Sequence, residues 1–172
     1  MERTSFLKRF GIGGFYHFTD QRNLPSIRST GGLFSLEQLK NRGIVPPAPG
    51  GNEWSHDADA IRGLDKYVHL CFRKEHPMEY VARTEGRFGS TVFLSIEPGV
   101  LLQQGVMFTP DVSNKSGVPL LSFEEALEAI DFSVLYERHD WRDPEVKERM
   151  KLAKKCELLV PDMVPLSMIR GI

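Results

Sequence analysis

The tightest constraint on this chain lies between Asp143 and Pro165. Over residues 143–155 (DPEVKERMKLAKK), Val146, Met150 and Ala153 fall on one helical face, with Lys and Glu on the other. Asp143 supplies an N-cap and Pro144 a proline for the first turn. The pattern then breaks. Glu157-Leu158-Leu159-Val160 is a short apolar run that reads as a strand, and a carboxylate opens it. A strand end holds a charge rigidly, so a glutamate there suits the rim of a cleft. The competing reading is a solvated residue at a strand start.

The rest of the chain mixes the two periods. Strands are predicted at 15–18, 67–72, 91–96, 106–108, 157–160 and 168–171. Helices are predicted at 24–29, 36–42, 77–83, 123–130 and 144–155. Ser35-Leu36-Glu37-Gln38 and Ser122-Phe123-Glu124-Glu125 are capping-box patterns. No regular strand–helix–strand repeat appears, so the fold class is α+β: short mixed strands in one domain over 1–172. Pro46-Pro47-Ala48-Pro49-Gly50-Gly51-Asn52 can continue neither helix nor central strand and is a loop. Gly11-Ile12-Gly13-Gly14 precedes the first strand, whereas a dinucleotide fingerprint follows one.

The net charge of −1, from 22 basic and 23 acidic side chains, argues against a protein that grips a long duplex by its phosphates. It leaves room for a short contact with a few nucleotides, or for a partner that is not nucleic acid. Cys71 and Cys156 sit in apolar contexts and read as reduced core residues. No Cys/His spacing fits zinc, so no metal is expected. No apolar run reaches the length of a membrane span, and MERTSFLKRFGIGG is too poor in apolar residues for a signal peptide. The expectation is a cytoplasmic protein without a membrane partner.

Several short segments recur in a telling order. They are Tyr16-His17-Phe18-Thr19, Asn23-Leu24-Pro25-Ser26-Ile27, Gly32-Leu33, Tyr67-Val68-His69-Leu70-Cys71-Phe72, His76-Pro77-Met78 and Cys156-Glu157-Leu158-Leu159-Val160. Together they resemble the DarT family, bacterial ADP-ribosyltransferase toxins that modify DNA bases using NAD+. The resemblance covers Phe15 to Ile172. Two departures stand out. Cys156 replaces a small residue, often alanine, before the glutamate. Residues 43–63 replace a segment that usually carries an arginine-rich helix.

The resemblance implies an ADP-ribosyltransferase-like fold around an NAD cleft, with NAD+ as co-substrate and a base in single-stranded DNA as target. It implies a toxin of a toxin–antitoxin or phage-defence system, with a macrodomain antitoxin as possible partner. ADP-ribosylation of RNA or protein, or a degenerate nucleotide-binding domain, are the alternatives. The reaction breaks the bond from nicotinamide to ribose C1′ and passes through an oxocarbenium-like sugar. It needs a carboxylate for the cation, a polar group for the ribose, and a cation for the pyrophosphate.

By resemblance Glu157 is the catalytic carboxylate, and it could also take a proton from the target base. His17 is the candidate for orienting the ribose. Alternation would turn Tyr16 and Phe18 to the core and His17 to a cleft, with Thr19 on the same face. Arg62 is the candidate cation, at once catalytic and cofactor-binding, with Arg42 its rival; both could be surface charges. Ser55 and His56 share the loop of Arg62. Tyr67, Phe72 and Tyr80 could stack on nicotinamide or simply pack, and Met78 reads as core. Arg138, Trp141 and Arg142, with His139 between them, interleave basic and aromatic side chains as a reader of single strands would. Trp54 could stack on a base in the same way.

Overall fold

The computed structural model describes residues 1–50 and 63–172. Its centre is a six-stranded sheet in the order β5-β6-β3-β1-β4-β8, antiparallel at every pairing. The strands are β1 (Phe15–Asp20), β3 (Tyr67–Cys71), β4 (Thr91–Ile96), β5 (Met107–Thr109), β6 (Glu157–Pro161) and β8 (Ile169–Arg170). A second, two-stranded sheet pairs β2 (Gly32–Phe34) with β7 (Met163–Pro165). Among the described residues the α-helices are α1 (Arg3–Arg9), α2 (Leu24–Thr30), α3 (Leu36–Asn41), α4 (Pro77–Thr84), α5 (Phe123–Ala129), α6 (Phe132–Tyr136) and α7 (Pro144–Ala153). Among the described residues, none of the helices is long and apolar enough to cross a membrane.

The predicted junction after α7 forms as read. Asp143 accepts the Glu145 N–H at 2.8 Å and caps the helix. Val146, Met150 and Ala153 are buried, and three residues separate the end of the helix from the start of β6. An aromatic cluster then ties α1, α5 and α6 to the sheet. Phe132 packs edge-on to Phe6 at 4.8 Å and to Phe72 at 5.6 Å between ring centroids, and Phe6 meets Phe123 at 5.4 Å. Helix α1 is too short to be stable alone. It forms because Phe6, with no exposed surface, is pinned in that cluster.

The halves of the large sheet meet at a narrow seam. β1 pairs with all six positions of β4, but with β3 at the single pair Tyr16↔Cys71. Beyond that pair the strands part, and the His17 side chain takes the place of a backbone bond by donating Nδ1–H to the His69 carbonyl at 3.0 Å. The burial of β1 also differs from the alternation expected. Phe15 is the fully buried core residue, while Tyr16 and Phe18 are half-buried. Phe18 stacks on His76 and lines the cleft together with His17. Both faces of β1 are covered, so a period of two could not say which is the core.

The small sheet is set at an angle by one residue. Asp162, between β6 and β7, has φ 62, a left-handed conformation that aspartate tolerates. Its N–H donates to the Lys66 carbonyl at 2.8 Å and its carbonyl accepts from Ser35 N–H at 2.8 Å. On the partner strand, a Cβ at Gly32 would lie 2.3 Å from the Val164 carbonyl oxygen, so only glycine permits the pairing.

Candidate active site

A cleft of about 460 Å³ opens between the two sheets. Its wall holds His17 and Thr19 of β1, Leu33 and Phe34 of β2, Tyr67 and His69 of β3, the loop from Ile44 to Gly50, Ser113 and Glu157. The site therefore collects residues more than a hundred positions apart, brought together by the β3–β6 register, in which Cys71 faces Glu157 and His69 faces Leu159.

Glu157 is not a solvated strand end. It is 5% exposed. One carboxylate oxygen, Oε2, accepts the Ser113 N–H at 3.1 Å and lies 3.4 Å from His69 Nδ1. The other, Oε1, lies 3.4 Å from His76 Nε2. Burial pushes the carboxyl up, but the His69 hydrogen bond, the two imidazoles and the Ser113 side chain outweigh it and hold it below the usual glutamate range. The carboxylate is thus both buried and charged, a combination that stabilises a developing cation more than a solvated charge would.

His17 is fixed from the other side of the seam. Its Nδ1–H donates to the His69 carbonyl, so Nε2 carries the lone pair. Burial lowers the imidazole below its ordinary value, more than the His69 carbonyl contact raises it. The neutral ring is an acceptor suited to a hydroxyl. His69 is the hub of this arrangement. Its carbonyl orients His17, its Nδ1 meets Glu157 and Ser113 Oγ (3.0 Å), and its Nε2 lies 3.3 Å from the Leu64 carbonyl.

Thr19 and Asn23 fasten the opposite wall. Asn23 donates Nδ2–H to Thr19 Oγ1 at 2.9 Å and to the Ala48 carbonyl at 2.7 Å, and accepts the Ala48 N–H at 2.9 Å. Three bonds from one buried amide clamp the 44–50 loop onto the end of β1.

The sequence profile of one family, described as "ssDNA thymidine ADP-ribosyltransferase, DarT", matches residues 16–172. The chain belongs to the DarT family. Comparison with curated proteins gave no match. Among solved structures, DarT of Thermus sp. 2.9 in complex with NAD+ is similar at 23% identity and a TM-score of 0.61, over 92% of this chain and 79% of that one. The same protein in complex with ADP-ribosylated ssDNA gives 21% identity and 0.61 over the same shares. DarTG of Thermosipho africanus in complex with ADP-ribose gives 17% identity and 0.64, over 91% of this chain and 42% of that longer one.

Of the DarT-like candidates, Glu157, His17, Thr19 and Tyr67 share the cleft wall. Arg62, Trp54, Ser55 and His56 lie outside the described residues. Arg42 is exposed, with its guanidinium 4.4 Å over the Phe34 ring. Met78 lines the cleft instead of the core, whereas Phe72 is core. Tyr80 is exposed beside Arg83. Arg138, Trp141 and Arg142 are exposed and do not line the cleft; Trp141 leans edge-on against His139, whose Nε2 is tied to Ser133. Sequence reasoning missed His69, His76, Ser113 and Asn23 as members of the site. A histidine in the middle of the apolar run YVHLC was a signal for the first; Ser113 carried none.

Proposed function

We propose that this chain transfers ADP-ribose from NAD+ to thymidine in single-stranded DNA, with Glu157 as the catalytic carboxylate. The observation that carries this reading is a buried, charged Glu157 on the wall of a cleft it shares with a neutral His17. NAD+ lies in the cleft, and His17 Nε2 accepts from a hydroxyl of the nicotinamide ribose. Thr19 and Tyr67 line the cofactor's path. The C1′–nicotinamide bond breaks and its electron pair neutralises the pyridinium, so nicotinamide leaves uncharged. Glu157 stabilises the cationic sugar across the buried gap. A thymine ring nitrogen then bonds to C1′ and sheds its proton, which Glu157 passes to solvent. The chain acts as a single domain. It works as the toxin of a toxin–antitoxin pair with a macrodomain partner, in the cytoplasm. Membership of the family and the likeness to DarTG support this assignment.

Arg62 supplies the cation for the cofactor. Arg42 is committed to the Phe34 ring, so Arg62→Ala reduces transfer far more than Arg42→Ala in one activity assay. The reverse ranking moves the role to Arg42.

The exposed segment 138–142 reads the single strand. Arg138 and Arg142 meet phosphates, and Trp141, 47% exposed, stacks on a base. The test is mass spectrometry of DNA and RNA oligonucleotides incubated with the protein and NAD+. A thymidine-containing DNA strand gains one ADP-ribosyl group. Trp141→Ala weakens that modification by about tenfold, from the stacking lost, while NAD+ hydrolysis without DNA stays near wild type. If both activities fall together, Trp141 packs and the reader lies elsewhere. If no oligonucleotide is modified, a protein acceptor replaces the DNA.

A further inference from the structure

His76 stands behind the cleft, outside its lining, and its environment is unlike that of an ordinary capping histidine. It is 3% exposed and its ring is covered by Phe18, stacked at 5.7 Å. As the N-cap of α4, its Nδ1 accepts the Met78 N–H at 3.3 Å. An accepting Nδ1 places the ring proton on Nε2. That nitrogen is fully buried and closes no regular hydrogen bond; it lies 3.4 Å from Glu157 Oε1, with the Lys155 carbonyl as a second acceptor near the ring. A buried donor this near a charged carboxylate and not closed into a bond is costly unless it serves something.

We propose that His76 is a positioning residue: through its Nε2–H it braces the Oε1 oxygen of Glu157 from behind, while Ser113 and His69 hold Oε2. The proposal rests on Glu157 being the catalytic carboxylate. The two ring nitrogens divide the work. Nδ1 starts helix α4, and Nε2 steadies the carboxylate. The helix fixes the tautomer, and the tautomer fixes the donor.

Protonation of the ring would set an N–H against the Met78 N–H and break the cap. Burial keeps it neutral, lowering the imidazole more than Glu157, the Lys155 carbonyl and Asp111 raise it, with His69 also lowering it. The groups that face Glu157 are His69, His76 and the Ser113 N–H, with the thiols of Cys71 and Cys156 beside it. Burial pushes both thiols up, so they add no charge there.

Two substitutions separate the functions. Asparagine can cap the helix as well as histidine but is too short to brace the carboxylate. Glutamine carries a donor to the position of Nε2 but caps poorly. The experiment measures melting temperature, kcat and KM for NAD+, and the pH profile of kcat, for wild type, His76→Asn, His76→Gln and Glu157→Gln. His76→Asn should melt near wild type with KM little changed. Its kcat should fall about tenfold, the cost of one donor to a charged group. Its acid limb should move to higher pH, because a carboxylate with one donor fewer takes up a proton more readily. His76→Gln should melt lower yet recover several-fold of the lost kcat and return the acid limb. Stability and kcat thus rank the two variants in opposite orders.

If kcat falls in step with melting temperature in both variants, or if His76→Asn leaves kcat and the acid limb unmoved, the brace is wrong and His76 only caps α4. Transfer at the wild-type rate by Glu157→Gln overturns the reading beneath the proposal, and the brace with it.

Discussion

Glu157→Gln loses transfer by about three orders of magnitude, the size expected when a preorganised charge at a reacting centre is removed. NAD+ affinity changes little, since the amide keeps the shape of the side chain. The loss therefore falls on kcat, which is the pattern of an interaction made in the transition state. The fold also tolerates the change. Ser113 N–H still finds an oxygen acceptor, and the desolvation cost of a buried charge disappears with the charge. A melting curve at or above that of wild type, beside a collapsed kcat, is the expected pair. A wild-type rate of transfer in this variant would remove Glu157 from the mechanism.

His17→Ala weakens NAD+ binding by about 10- to 100-fold, the worth of a hydrogen bond made in a buried site. The substitution removes the acceptor at Nε2 and also leaves the His69 carbonyl without the His17 donor at the seam. The effect has a pH counterpart in the wild type. Because burial holds the imidazole below its ordinary value, the ring is neutral at neutral pH. On acidification through this lowered value Nε2 gains a proton and can no longer accept, so kcat/KM for NAD+ falls on the acid side. The same proton destabilises the fold. A histidine lowered on folding contributes its stability fully above its unfolded value, and that contribution is lost as pH falls below it. Calorimetry checks the first effect; unchanged affinity in His17→Ala would make this a packing histidine.

The sequence exposed those parts of the molecule whose signals are local. β3 and β6 were legible because the apolar runs YVHLC and ELLV start where the strands start, with each predicted end one residue off, and α7 because its cap and its buried face are written in one stretch. β2 and β7 were not. Three-residue strands carry too little pattern, and each exists because Gly32 and Asp162 set the other against it. Helix α1 was hidden for the same reason, since its one anchoring ring, Phe6, finds its partners about 120 residues away. In the site, Glu157 and His17 were reached through motifs. Their partners His69, His76 and Ser113 were not, because a residue's role there depends on register across strands and on a loop bond that no short window contains. The burial of Glu157 belongs to that class: a carboxylate at a strand start looks solvated until the imidazoles beside it are seen.

The antiparallel order of the sheet has a consequence for synthesis of the chain on the ribosome. β6 fills the place between β5 and β3, β7 completes the small sheet, and β8 covers the edge of β4. All three come from residues 157–170, while their partners lie from Gly32 to Thr109. Until residues 157–170 leave the exit tunnel, β3 and β5 have no strand between them and the cleft lacks Glu157. Pairings this far apart in sequence form late and slowly. The nascent chain is therefore inert until β6 has been made, and the charge at position 157 arrives only with the strand that closes the sheet around it.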